Sequence, residues 1–421
     1  MRWVRTGAAT VAAGLVLGTA PAAHAGWVGT WTAPPLDNPY PTGTPRAQPP
    51  LDGVLQGGQA RDQSIRQVVH TTLGGTHVRL TLSNAEGTAP LTFGAVELGR
   101  DAGGGKVARS TTRFVTFRGR RSVTIPPGRT VRSDAMSFRL RRQEDVAVSL
   151  HVRGASGAIT WHPAAFAHSW LSRPGAGDHT AETSARAYPH SSTSWVLADP
   201  RRRPGTGRGE RRRGARRLDL GRQRLDARRQ RPLARRARRP HAARAARPLA
   251  RLLNASIGGN TITRLPCDVC GAPALDRLDR DVLRAPGLRH VLLFEGTNDI
   301  RRGASAAQVI AGMQEIIRRV RARGLRIIGA TILPRADVPQ WNPAVMNPIR
   351  REVNAWIRRA GAFDAIVDFD RIVRDPADPD RMRPEYDVNS TIGGPGDHLH
   401  PGRPAFLAMG YHVPLSLFRE R

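Results

Sequence analysis

Val291-Leu-Leu-Phe-Glu-Gly-Thr-Asn-Asp299 decides the fold. Val291 to Phe294 is apolar throughout, as a strand buried on both faces must be, and the glycine that follows ends it. Downstream, Val309, Ile310, Met313, Ile316, Ile317 and Val320 recur at i, i+1, i+4, i+7, i+8 and i+11, an apolar stripe along one side of a helix. Leu325 to Leu333 reads as the next strand, Val345 to Arg359 as a helix with Trp356 and Ile357 inward, Ala365 to Phe369 as a strand, and the chain from about Arg403 as a terminal helix. Strand and helix in alternation imply a parallel sheet between two helical layers, a three-layer α/β/α arrangement. In such sheets ligands collect beyond the carboxyl ends of the strands, which is where Gly296-Thr-Asn-Asp299 falls.

Toward the N-terminus the rhythm is different. Val78, Leu80 and Leu82 alternate with polar residues, as do Val146, Val148, Leu150 and Val152, the period of a half-buried strand. Turn clusters at Leu73-Gly-Gly75, Gly103-Gly-Gly105 and Pro126-Pro-Gly128 separate such runs. An all-β sandwich over 26–195 is the expected solution, with the Pro/Gly-rich segment Ala33 to Gly58 as an extended surface loop. Residues 1–25 read as a secretory signal: Arg2 and Arg5, an uncharged run from Gly7 to Ala23, then Ala23-His24-Ala25 as a small-x-small cleavage site. No stretch reaches the roughly 20 apolar residues of a membrane span. A secreted, extracellular, monomeric protein without a membrane span is expected.

Between the two patterned regions lies an anomaly. Arg201 to Arg251 holds 21 arginines, no lysine and three acids, a net +18 of the chain's +32, and no serine occurs between Ser194 and Ser256. The segment 196–251 has too few apolar residues at either period to build a core, and its composition predicts an exposed, poorly ordered insert open to trypsin. A polyanion partner such as nucleic acid is the ordinary implication of so basic a chain. Against it, Lys106 is the only lysine beside 65 arginines, a bias of GC-rich codons, and the charge is concentrated in this one run; no nucleic-acid partner is expected. Cys267 and Cys270, the only cysteines, form a Cys-x-x-Cys. In a secreted chain this reads as a small loop disulfide, since a redox site wants a thioredoxin context and zinc two further ligands.

Three short blocks sit at strand ends: Asn254-Ala-Ser-Ile-Gly-Gly-Asn260, Gly296-Thr-Asn-Asp299 and Asp397-His-Leu-His-Pro401. In this order and spacing they resemble blocks II, III and V of the SGNH, or GDSL-type, hydrolases, over roughly Leu252 to Phe418, and the two-domain layout is similar to secreted actinobacterial members with an N-terminal β-sandwich. The resemblance implies esterase or lipase chemistry through an acyl-serine, on a small-molecule, polysaccharide or lipid ester, with no cofactor and a flavodoxin-like α/β/α catalytic domain over 252–421. It implies Asp397 and His400 as triad partners, and Gly259 and Asn298 as oxyanion donors. The chemistry fits, because ester hydrolysis needs a base for the serine proton, a carboxylate to hold the imidazole, and donors aimed at the developing oxyanion.

The nucleophile is missing. A Gly-Asp-Ser block is expected a few dozen residues before Gly259, inside the arginine run, and no such triplet is there. Ser256 could be proposed in its place, although the family pattern gives that position a structural role. His398 and His400 could be a metal pair, with Asp397 the only obvious third ligand. Two other readings stand beside the hydrolase: a secreted carbohydrate- or ligand-binding pseudoenzyme, and an arginine-driven polyanion binder. The run itself reads as a frame-shifted copy of the missing block. Coding Ala-Leu-Gly-Asp-Ser-Ile as GCG CTC GGC GAC TCG ATC and reading two bases late gives Ala-Arg-Arg-Leu-Asp, the residues at Ala215 to Asp219. The run from Asp226 to Arg238, given GC-rich codons and read one base later, which restores the same frame, yields Thr-Pro-Gly-Ala-Asn-Asp-Arg-Trp-Pro-Asp-Val-Leu, with tryptophan and apolar residues where arginine is written.

Overall fold

The computed structural model describes residues 27, 29–35, 54–55, 58–162, 167–196, 214–218, 252–265, 270–336, 341–388 and 396–418. The expected signal segment lies outside the described residues. Among them, no helix is long and apolar enough to cross a membrane.

The N-terminal domain is all β, and each of its strand pairings is antiparallel. Its backbone is three long strands, β1 (Gln59–Thr71), β2 (Leu91–Gly103) and β3 (Glu144–Ala158), with β3 central in an eight-stranded sheet. Two short ladders, Gly75–Val78 with Met136–Leu140 and Thr81–Asn84 with Arg129–Arg132, add Val78, Leu82, Phe138 and Leu140 to a core shared with Ile65, Val96, Val148 and Leu150. The alternation in β3 marks its inner face correctly. Its other face is covered too, since Ala147, Ser149 and His151 are also buried. The cause is polar: buried Arg66 donates to Ser149 Oγ at 2.9 Å and to the carbonyls of Gly105 and Ser184, and His151 Nε2 lies 3.0 Å from Asp62 Oδ1. The expected surface loop is corrected at both its ends, because Ala33 to Pro35 and Val54 and Leu55 are buried; 36–53 lie outside the described residues.

The second domain is a five-stranded parallel sheet of β4 (Gly214–Leu218), β5 (Leu252–Asn254), β6 (Leu288–Leu293), β7 (Arg326–Ala330) and β8 (Ala365–Val367). Its order is β5-β4-β6-β7-β8, the flavodoxin-like arrangement expected. Helices α1 (Ala274–Leu278), α2 (Thr297–Arg301), α3 (Ala306–Arg321), α4 (Pro343–Arg359), α5 (Phe369–Val373) and α6 (Arg403–Tyr411) complete it. Ser305 caps α3 with a capping box to Gln308, and Asn342 caps α4 ahead of Pro343. Two cores flank the sheet: Val291, Leu293 and Ile327 pack with α3 and α4, while Leu292, Ile328 and Val367 pack with α5 and α6. The predicted strand Ala365 to Phe369 is shorter than expected, because Asp368 accepts from the Arg371 N–H and caps α5 at Phe369.

The expectation of no regular structure in 196–251 is corrected at Gly214–Leu218. That segment is β4, paired in parallel with β5 on one side and β6 on the other. Ladder hydrogen bonds use only backbone groups, so a strand position can be filled by a sequence without an apolar pattern. The rest of the arginine run lies outside the described residues.

Candidate active site

β4 and β6 are neighbours in the sheet but not in sequence, and the chain leaves them in different directions. This switch point is where an open α/β sheet makes a crevice. Leu218 pairs with Leu293, and Arg217 with Leu292 and Asn254, so the end of β4 is flanked by the entrances to Ala255–Asn260 and to Gly296-Thr-Asn-Asp299.

Gly296 has φ +118°, and a Cβ there would stand 2.8 Å from Ile332 Cδ1, so the turn from β6 into α2 demands glycine. The turn carries Asn298 into a buried position, where its side-chain Nδ2 donates to the Asn260 carbonyl at 3.0 Å. An amide nitrogen has two hydrogens, so one is left for a ligand. The next residue, Asp299, is fully buried and accepts from the N–H groups of Ile262 (3.0 Å) and Thr263 (2.9 Å) and from the Thr263 hydroxyl (2.7 Å). Burial pushes the Asp299 carboxyl above its usual range, against the pull of these donors. Asp299 therefore staples the end of the 254–263 segment to α2.

Gly259 has φ +74°, and a Cβ there would lie 3.1 Å from Cys270 Sγ, so conformation and space both favour glycine. Cys270 is disulfide-bonded; Cys267, the other half of the expected loop disulfide, lies outside the described residues. Asn260, fully buried, donates to the carbonyls of Cys270 (2.8 Å) and Ala272 (2.9 Å). Its Oδ1 accepts from Arg277 Nε (3.0 Å) and Nη2 (2.7 Å), while Arg277 Nη1 donates to the Ala255 carbonyl at 2.7 Å. Arg277 and Asp299 are thus the residues that hold this segment. Neither was singled out from sequence: Asp299 could have been, as the last letter of its motif, whereas nothing local to α1 marks Arg277.

Ser256 is mostly buried, and its Oγ and N–H both point to Asn254 Oδ1, at 2.5 and 3.1 Å. Its hydroxyl closes a local turn, a structural use.

His400 and Asp397 meet in the loop before α6. His400 Nδ1 lies 2.5 Å from Asp397 Oδ2, and the N–H groups of His400 (2.6 Å) and Leu399 (3.1 Å) donate to Oδ1. Burial raises the Asp397 carboxyl, but the hydrogen bond and charge of His400 and the two backbone donors outweigh it, leaving the group well below the usual carboxylate range. With Nδ1 facing a carboxylate, the imidazole is set with its proton on Nδ1 and its lone pair on Nε2. His398 is held separately, at φ +55°, with its N–H on Asp387 Oδ1 (3.0 Å) and its Nδ1 against Asp387 Oδ2. The two histidines of the His-x-His thus have different carboxylate partners. Among the described residues no group of three or more histidine, cysteine or acidic side chains is arranged to hold a metal.

Residues 215–404 match the model of the GDSL-like lipase/acylhydrolase family. The match begins inside the arginine run, earlier than the resemblance seen from Leu252 onward. Similar solved structures include a GDSL-like lipase from Bacteroides thetaiotaomicron, 18% identical over 39% of this chain and 75% of that one, with a TM-score of 0.31. A carbohydrate acetylesterase from Sinorhizobium meliloti is 12% identical over 48% and 96%, with a TM-score of 0.35. The psychrotrophic esterase EstA from Pseudoalteromonas sp., in a structure inhibited by monoethylphosphonate, is 17% identical over 49% and 99%, with a TM-score of 0.32. No curated protein matches. What the comparisons show is thus a likeness confined to residues 215–404, which match the GDSL-like lipase/acylhydrolase family model.

Proposed function

We propose that this is a secreted carboxylic-ester hydrolase whose chain, as written, lacks its nucleophile. In the intact enzyme His400 Nε2 takes the proton of a serine as its oxygen attacks the ester carbonyl. Asp397 holds the Nδ1–H and balances the charge on the imidazolium. The free hydrogen of the Asn298 amide and the Gly259 N–H stabilise the oxyanion, and the third donor arrives with the serine. The protonated His400 then gives its proton to the leaving alcohol, and water repeats the sequence on the acyl-serine. The substrate is an ester of a small molecule, polysaccharide or lipid, and no cofactor enters.

The observation that carries this reading is the hydrogen bond between His400 Nδ1 and Asp397 Oδ2, the base and its orienting carboxylate already in register. The absence of a serine between Ser194 and Ser256 is the reason the written chain is inactive. We infer further that the arginine run is an out-of-frame reading of the nucleophile block. In support, β4 occupies the strand that must deliver a nucleophile to the switch point, and the family match starts at 215. The shifted reading of Ala215 to Asp219 supplies Gly-Asp-Ser at that strand's end.

The test is to sequence the gene across the run and to assay both products on a p-nitrophenyl ester. The written chain should show no turnover, and the frame-restored protein should turn over and be blocked by a serine-directed phosphonate. Robust turnover by the written chain, or an alternative frame without Gly-Asp-Ser, overturns the proposal.

A further inference from the structure

The N-terminal β domain meets the second domain at the segment that carries Gly259. Trp161 and Ile257, both buried, pack on each other as a small core of their own. A Cβ added to Gly29 would lie 2.8 Å from Leu253 Cδ1, so the N-terminal segment rests directly on β5. Beside this apolar contact runs a chain of polar ones. The Glu86 N–H donates to Thr160 Oγ1 at 3.0 Å, which fixes the Glu86 turn next to Trp161. The Glu86 carboxylate pairs with Arg280, which also donates to the Pro35 carbonyl at 3.3 Å. Arg280 Nε donates to Asp281 Oδ1 at 2.8 Å, and Asp281 Oδ2 faces Arg277 Nη1 at 3.4 Å. Arg277 in turn grips Ala255 and Asn260 on either side of Gly259.

We propose that the N-terminal domain is a fixed wall of the catalytic site, and that Glu86, Arg280, Asp281 and Arg277 form a relay through which it positions the segment Ala255–Asn260, with Arg277 as the positioning residue at its end. Naming that segment an oxyanion block rests on the hydrolase proposal; the mechanical coupling does not. Arg280 is held from across the domain boundary by Glu86 and the Pro35 carbonyl, and Arg277 by Ala255 and Asn260 of the segment after β5. Removing one partner shifts the balance of charge and hydrogen bonding on the next, so the disturbance travels along the relay.

The coupling is measurable without turnover, by hydrogen exchange on the full chain. The amides of Asn260, Ile262 and Thr263 are protected by bonds to Ile257 O and to the Asp299 carboxylate. In Arg277→Lys they should exchange at least about tenfold faster, and in Glu86→Gln several-fold faster, while Ile327 and Ile328 in β7 keep their rates. Glu86 is partly exposed, so its variant keeps the fold if Arg277→Lys does not. The control is Asp145→Asn, which breaks an exposed pair with His70 elsewhere in the β domain. If Glu86→Gln matches that control at these three amides, or if β7 loosens in parallel with them, the relay is refuted. Because exchange is read in a chain without a nucleophile, this outcome is separate from whether the restored gene encodes an esterase.

Discussion

Asn298 donates its side-chain amide to the Asn260 carbonyl across 3.0 Å, which fixes the rotamer of the side chain whose second N–H the proposed chemistry uses. In the frame-restored enzyme, Asn298→Ala should lower kcat by about 10²–10³ and leave KM nearly unchanged, because that hydrogen bond forms fully only in the transition state. Steady-state kinetics on one ester decide it. An effect confined to KM would move Asn298 out of the oxyanion hole.

His400→Ala and Asp397→Asn should each remove most of the restored activity, and the double variant should be little worse than the worse single one. Both residues act on the same proton transfer, so their effects do not add. Full turnover by His400→Ala would refute the assignment of the base.

Asp299→Asn should destabilise the second domain by about 2–3 kcal/mol. It replaces a buried carboxylate that accepts from three donors with an amide that must turn its NH2 toward at least one of their N–H groups. Urea denaturation of the full chain measures this. A midpoint within error of the parent would show that the staple contributes nothing.

His162 supplies a pH signature at the domain boundary. It is packed between Trp195, with ring centroids 5.7 Å apart, and the Pro34 carbonyl at 3.0 Å, with Arg277 and Asp281 acting on it from the second domain. Burial pushes its imidazole down to about 4 from 6.5. Above pH 6.5 it is neutral in both folded and unfolded chains and has no effect on stability. Between 6.5 and 4 only the unfolded chain takes up the proton, so stability falls as the pH drops through that window, by up to about 3 kcal/mol. Denaturation at pH 7, 5.5 and 4.5 should show that slope in the parent and a shallower one in His162→Gln. Equal slopes would mean that His162 is solvated.

The residues read from sequence share one property: each lies in a short contiguous motif, at a strand end or in the loop before α6, where spacing largely fixes its surroundings. Asp397 and His400 meet because they are three apart in one loop, and Asn298 reaches Asn260 because they follow the two strands that flank β4. Arg277 was illegible for the opposite reason. Its partners, Ala255 and Asn260, come from a different segment, and a short helix reading Ala274-Leu-Asp-Arg-Leu278 looks like ordinary surface. The second buried face of β3 was hidden because Arg66 and the carbonyls it binds, Ser184 among them, are distant in sequence. β4 was hidden because periodicity reports side chains, and a strand paired on both edges is held by backbone groups. Its neighbours, Leu253, Val291 and Leu292, are buried, and the position they frame calls for apolar residues rather than Gly-Ala-Arg-Arg-Leu.

Asn298 and Asp299 divide one motif between two duties. The first is the oxyanion donor proposed above, while the second ties 262–263 to α2 whether or not anything is hydrolysed. Under mutation, a lineage that had lost its nucleophile would still be selected against altering Asp299, since the fold would suffer first. Gly-x-Asn-Asp can therefore outlive the reaction it is used to diagnose, and its presence in a descendant dates the architecture, not the activity.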